Sequence, residues 1–325
     1  MDHESFKELI ALVRRLCPLK YEDSGALINA IIKKTEYQNK IPILKIMEWI
    51  PYAEQVVKRF RYNYTLEIAS LQYNIATAYS VTGNYTQGLR YITPAISTLE
   101  KLSIATDQLA LAYNQKGYIY YSRQNYSDKR AYTFYQKALL LPNVKGRTRA
   151  ETNESLALCL HGMYENGVKK GVDKQVLNNI LRQAEGCHFQ ANKFFLESGN
   201  ELHLASSYNN TGDYYRLIGN AYLAIRYYNR ARRIREKEQA AASLDLSTTY
   251  FRLGEIYLEM SDKQNLPGWK RGKRVKYAQD YYKLCYQIRV EQIAKGNVSR
   301  NVDNVIKRIN QCEAILSELE LAGEI

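Results

Sequence analysis

The chain has 325 residues, 46% of them apolar and 24% charged, and its 46 Lys and Arg against 33 Asp and Glu leave a net charge of +13. Six prolines and seventeen glycines leave little room for long disordered linkers, and no run approaches the 18 apolar residues of a membrane-spanning helix. Cys17, Cys159, Cys187, Cys285 and Cys312 are odd in number, scattered and without a C-x-x-C pair, which argues against a disulfide framework and predicts reduced thiols.

The N-terminus, Met1-Asp2-His3-Glu4, lacks the basic-then-apolar start of a signal peptide, so a cytoplasmic protein is expected. Residues 1–66 read as a helical lead-in that caps the rest of the chain. Phe6, Leu9, Ile10, Val13 and Leu16 form one helical stripe ending near Pro18, and Ala26, Leu27, Ala30 and Ile31 form a second. Pro42 and Pro51 bracket a short apolar helix with Leu44, Met47 and Trp49.

Residues 67–295 repeat one register. Gln72, Ile75, Ala76 and Tyr79 lead to Gly88, Ile92 and Ala95, and Tyr113, Lys116, Gly117 and Tyr120 lead to Ala131, Tyr135 and Ala138. A degenerate third unit opens at Leu156, Ala157 and Leu160 and resumes near Val176, Ile180, Ala184 and His188. Tyr208, Thr211, Gly212 and Tyr215 then lead to Ala224, Tyr228 and Ala231. Tyr250, Leu253, Gly254 and Tyr257 lead to Ala278, Tyr282 and Cys285 after an insertion placed at 261–276. Small residues at Ala76, Gly117, Gly212 and Gly254 let two helices approach, with the aromatics three positions later filling the gap between them. Gly83-Asn84 and Gly219-Asn220 stand where a first helix must stop in a left-handed turn. Residues 296–325 read as a capping helix with Val302, Val305, Ile306, Ile309, Cys312, Leu316 and Leu319 on one face.

This spacing is the two-helix tetratricopeptide pattern, about five repeats in all, and predicts an all-α, right-handed superhelical solenoid of antiparallel helix pairs. The block from Tyr208 to Lys237 resembles repeats of the kinesin light chain type, of about 40 residues each, and is similar to those of Pins-like spindle-orientation proteins and of bacterial Rap-type peptide-sensing regulators.

The resemblance implies capture of a peptide or protein on the concave face, chiefly by first-helix residues. An asparagine beside the small position holds the ligand backbone in such repeats. The matching residues are Asn74, Gln115, Asn210 and Arg252, with Asn114 and Asn209 as neighbours and only Ser155 in the third unit. Thr77, Tyr118, Asp213 and Glu255, one position after the small residue, are expected to line the same groove, and Arg216 and Arg252 to select an acidic ligand. An amide suits this task because it donates to a ligand carbonyl and accepts from a ligand N–H together. The competing role is to cap helices or bond to adjacent turns.

Lys270, Arg271, Lys273 and Arg274, beside Trp269 in the insertion, form a basic patch suited to acidic protein motifs or phosphates. Arg226, Arg230, Arg232, Arg233 and Arg235 crowd one second helix and read as a solvated outer face, and Lys145, Arg147 and Arg149 form a smaller group. His3, His161, His188 and His203 make no metal or catalytic motif, and no phosphate-cradling glycine loop occurs, so neither an enzyme nor a cofactor is expected. Three functions stay open: an adaptor gripping an extended acidic peptide, a peptide-sensing regulator, and a basic nucleic-acid-associated protein.

Overall fold

The computed structural model describes residues 25–36, 43–63, 65–103, 106–123, 129–238, 243–262, 266–294 and 302–325. The stripe from Phe6 to Leu16, Cys17, Pro18, His3 and Pro42 lie outside them. All described secondary structure is helical, and the chain divides into two compact units at Val172 and Asp173.

The first unit holds α1 (Gly25–Thr35), α2 (Ile43–Met47), α3 (Ile50–Arg59), α4 (Leu66–Val81), α5 (Tyr85–Leu102), α6 (Thr106–Arg123), α7 (Lys129–Leu140) and α8 (Gly146–Lys169). Pro51 sits in the first turn of α3, where a missing N–H breaks no helical bond. Ile28, Ile31, Ile46, Ile50, Ala53 and Val57 bury against Ile68, Leu71, Ile75 and Ala78 of α4, so the lead-in helices cover one face of the first pair. Leu44, read as part of the apolar face, is 75% exposed. The pairs α4/α5 and α6/α7 share a second core of Ala76, Ile92, Leu99, Ala110, Tyr113 and Ala138.

The second unit holds α9 (Lys174–Glu197), α10 (Glu201–Leu217), α11 (Ala221–Lys237), α12 (Ser243–Ser261), α13 (Gly268–Ala294) and α14 (Val302–Leu321). Here α10/α11 and α12/α13 are the pairs, and α14 packs Val305 and Cys312 onto Val275, Tyr282 and Cys285. Within each unit the helix pairs stack in the order of the chain, which is the tetratricopeptide solenoid arrangement. The third, degenerate pair is divided: α8 belongs to the first unit and α9 to the second.

Each pair closes on one contact. Tyr135 lies where a side chain at Gly117 would begin, a built Cβ falling 2.6 Å from its ring, and Tyr282 stands in the same relation to Gly254 at 2.6 Å. Tyr228 covers Gly212 in the same way. Where the small residue is Ala76, the facing large residue is Ile92. The ring that fills the glycine space therefore comes from the second helix, while the aromatic three positions after the glycine makes a separate layer. Tyr79 stacks with Tyr91, Tyr120 with Phe134, Tyr215 with Tyr227 and Tyr257 with Tyr281, at centroid separations of 6.1, 5.7, 5.3 and 5.8 Å. The hydroxyls of Tyr79 and Tyr91 both donate to Glu54 and that of Tyr215 donates to Glu185, while Tyr281 accepts from Arg232, so several of these rings need a polar tip that phenylalanine lacks.

The turns follow one recipe. Gly83 and Gly219 adopt φ of +82° and +77°, and Asn84 and Asn220 then accept from Gln87 N and Leu223 N at 3.3 and 3.1 Å to cap the next helix. Gly199-Asn200 does the same between α9 and α10, with φ of +66° and a 3.3 Å bond from His203 N. The insertion differs from its expected extent. Helix α13 begins at Gly268, with Lys270 N and Arg271 N both donating to Pro267 O, so the basic residues occupy the opening turns of a helix. Proline just ahead of a helix start tolerates that geometry, which a glycine-rich basic run did not suggest.

Candidate interaction site

The first helices carry the predicted site residues, and their fate depends on distance from the small residue. Three positions before it, Asn114 and Asn209 reach forward to the next first helix. Asn114 Nδ2 donates to Thr152 Oγ1 at 3.1 Å and Asn209 Nδ2 to Thr249 Oγ1 at 3.0 Å. Both threonines in turn donate to a carbonyl four residues back in their own helices, so the bond is one repeated device joining consecutive first helices.

Two positions before it, the side chains reach backward. Asn74 Nδ2 donates to Ile32 O at 3.1 Å and Thr35 Oγ1 at 3.2 Å of the lead-in helix α1. Gln115 Nε2 donates to Ser80 Oγ at 2.5 Å, and Arg252 donates to both oxygens of Asp213 at 2.8 and 2.9 Å. Asn210, at the equivalent place in α10, is half-buried. The amides of Asn74, Gln115, Asn114 and Asn209 are thus engaged between helices.

The position after the small residue varies by unit. Thr77 is buried and donates to Tyr73 O at 3.0 Å, whereas Tyr118 is 39% exposed. In the second unit the position is acidic and central to a charge network. Asp213 accepts from Tyr228 Oη at 2.7 Å besides Arg252. Glu255 accepts from Tyr282 Oη at 2.7 Å and from Arg308 Nη2 of α14 at 3.0 Å, with Arg216 at 3.4 Å. Arg216 also clasps both carboxylate oxygens of Glu259.

Burial alone would lower the Arg216 pKa, but the bond to Glu259 raises it further above its ordinary value. Arg252 follows the same balance against Asp213. In both cases the guanidinium stays charged and its charge is matched. Asp213, Arg216, Arg252 and Glu255 therefore form one polar row between α10 and α12 in the second unit, where Asn209 and Asn210 also lie on α10, and Asn74, Thr77, Asn114, Gln115 and Tyr118 lie in the first unit.

Three further residues complete the row and were not identified from the pattern. Glu259 lies 43 residues after Arg216, about one repeat on, and Arg308 takes the role for α14 that Arg252 takes for α12. Extending the register into the last helix would have found Arg308. The third is Arg235, 3% exposed, which donates to Asp245 O, Thr249 Oγ1 and Ser206 Oγ at 2.9, 2.6 and 3.0 Å. Burial pushes its pKa down to about 10, so it remains protonated at neutral pH and joins α10, α11 and α12.

The arginine-rich helix is accordingly not a uniformly solvated face. Arg235 is interior, and Arg230 covers Tyr208 and Tyr227 at 5.6 and 5.3 Å. The basic patch divides too. Lys270 and Lys273 are exposed over Trp269 and Tyr277, at 5.1 and 6.0 Å, while Arg271 is half-buried. Arg274 Nη1 donates to Met260 O at 2.6 Å and so satisfies the end of α12. Among the described residues no group of three metal-ligating side chains occurs and no helix is long and apolar enough to cross a membrane.

No protein-family model and no curated protein matches the chain. Among solved structures it is similar to BtubC (BKLC) from P. vanneervenii, at 19% identity and a TM-score of 0.51 over 84% of this chain and 94% of that one. It is also similar to the apo form of RapI, at 12% identity and a TM-score of 0.53 over 90% of this chain and 99% of that one. A kinesin light chain-type protein with nearly identical TPR-like repeats from Podosopora anserina aligns at 12% identity and a TM-score of 0.46, over 70% and 99% of the two chains. The likeness is one of fold: an all-helical succession of repeated helix pairs in the tetratricopeptide-type arrangement.

Proposed function

We propose that the chain is a non-enzymatic adaptor that captures an extended peptide segment of a partner along its first helices, with the row in the second unit as the anchoring surface. The observation that carries the reading is the Arg216–Glu259 pair. Its side chains are 32% and 47% exposed, so it stands at the accessible end of a row whose deeper members are engaged between helices. An ion pair so exposed is worth about 0–1 kcal/mol, and a ligand carboxylate that takes the place of Glu259 on Arg216 exchanges one such pair for another. This favours an acidic peptide, with Asn210 and Tyr118 as the half-buried and exposed polar neighbours in their respective units.

On this reading Asn74, Asn114, Gln115, Asn209 and Arg252 act indirectly. They hold successive first helices in register, and Asp213 and Glu255 fix the arginines by which the ligand is chosen. An amide that bonds to the adjacent helix sets the spacing at which a peptide meets successive repeats. The described lead-in helices α1–α3 serve to cover the first helix pair of the first unit, and α14 to cover the last pair of the second.

Selection of a displayed random-peptide library on the immobilised chain tests the proposal. Peptides enriched for Asp and Glu whose binding falls about tenfold or more on Arg216→Glu support it, a loss that corresponds to roughly 1.4 kcal/mol. Failure to enrich any peptide, or enrichment indifferent to Arg216→Glu, rejects it.

A further inference from the structure

Gly268 and Gly272 stand one turn apart at the start of α13, on a helix where glycine is weaker than alanine. The space above both is filled by one segment. A Cβ at Gly272 would fall 2.6 Å from Ile325 Cγ2, and a Cβ at Gly268 would overlap the side chain of Glu324, including its carboxylate. The three nearest atoms to a side chain begun at either glycine belong to that segment. It arrives there because Gly323, at φ +65°, ends α14 in a left-handed turn, with Gly323 N donating to Glu320 O at 3.0 Å and Glu324 N to Leu319 O at 2.9 Å.

The electrostatics of the site are one-sided. No acidic residue occupies the first turn of α13, yet Lys270, Arg271 and Lys273 crowd the positive end of its dipole. The Glu324 carboxylate over Gly268 supplies the anion that the helix itself lacks. Ile325 then covers Gly272, which is buried, while keeping 47% of its own surface exposed. The contact is therefore specific in shape and shallow in burial.

We propose that the start of α13 is a docking seat for a peptide with an acidic residue followed by an aliphatic one, and that Glu324-Ile325 is its intramolecular occupant, displaced when a partner of the same chemistry binds. The seat is built from other residues than the Arg216–Glu259 row and does not depend on it. Its selectivity comes from two features: the positive end of the helix dipole favours the carboxylate seated over Gly268, and the glycine at 272 admits an aliphatic side chain against the helix backbone. The exposed Trp269, 58% accessible, adjoins Gly268 in the first turn of the helix and offers further apolar contact to a longer ligand.

The probe is a fluorescent, amidated octapeptide with the sequence of residues 318–325, titrated against three full-length proteins by anisotropy. Removing the tethered competitor in Glu324→Ala/Ile325→Ala is expected to strengthen binding about tenfold or more over the wild type, since a tethered segment competes at high effective concentration. Adding Gly268→Ala and Gly272→Ala to that variant is expected to abolish the gain, because the two methyl groups occupy the vacated seat. These alanines raise helix propensity, and circular dichroism checks that the helices are intact. Equal binding by the wild type and the Glu324→Ala/Ile325→Ala protein overturns the proposal. So does binding that survives both glycine substitutions, or a peptide ending in Glu-Asp that binds as tightly as the one ending in Glu-Ile.

Discussion

Tyr228 occupies the place where a side chain at Gly212 would begin, and its hydroxyl continues to Asp213, the next residue on the same helix, at 2.7 Å. One tyrosine thus closes a helix pair and orients the carboxylate that holds Arg252. Packing and polar network are joined at a single side chain, so a change in either is felt by the other.

The glycine contact gives the first prediction. Alanine normally favours a helix over glycine by roughly 1 kcal/mol, but at Gly117 a Cβ meets the fully buried Tyr135 ring. Gly117→Ala is expected to destabilise by about 1–3 kcal/mol through overpacking. Tyr135→Ile in the same chain should recover part of the loss, because Ala76 facing Ile92 is the equivalent natural pair. Urea unfolding of the single and double variants measures both, and a stabilising Gly117→Ala would contradict the register.

The forward amide bond gives the second. Asn209 and Thr249 are both buried and bonded at 3.0 Å, so each alanine variant should destabilise and the pair should do so non-additively. A double-mutant cycle in urea is expected to yield a coupling of about 0.5–1.5 kcal/mol. A coupling near zero would show that the bond contributes nothing to the stacking of α10 on α12.

Alkaline pH gives the third. Burial raises Tyr73 and Tyr214 to about 12, and burial with the Glu54 carboxylate raises Tyr79 and Tyr91 to about 12 as well, from an ordinary value of 10. Tyr113 and Tyr250 are raised too, by burial and by the carboxylates of Glu100 and Glu236. An acid whose folded pKa exceeds its unfolded value keeps its proton longer in the fold, so its contribution is complete below pH 10 and is lost as pH rises from 10 towards 12. Phenolate absorbance should lag that of free tyrosine and then rise together with the loss of helical circular dichroism. Full ionisation near pH 10 with the helices intact would contradict this.

Much of the fold was legible because its contacts restrict residue type. A glycine facing a tyrosine one helix away recurs at Gly117, Gly212 and Gly254, and a glycine-asparagine turn recurs at Gly83 and Gly219, so position and composition repeat together. The site was less legible. Asn74, Gln115, Asn114 and Asn209 have the chemistry to hold a ligand backbone, but the same chemistry suits a neighbouring helix. Their partners Thr35, Ser80, Thr152 and Thr249 lie 39, 35, 38 and 40 residues away and carry no local mark in the sequence. The charge on Arg252 was likewise visible, whereas its neutralisation by Asp213 depends on which helices meet.

The most direct measurement is calorimetric titration of the strongest selected acidic peptide against the wild type, Glu259→Gln, Arg216→Glu and Glu197→Gln. Glu197 is a similarly exposed acid, on α9, and controls for the change in net charge. Releasing Arg216 from its internal partner is expected to tighten binding several-fold in Glu259→Gln, up to about fivefold for the roughly 1 kcal/mol an exposed pair holds. Glu197→Gln should leave the affinity unchanged and Arg216→Glu should abolish it. Equal tightening by Glu259→Gln and Glu197→Gln, or an affinity unaffected by Arg216→Glu, would contradict the Arg216 row as the anchoring surface.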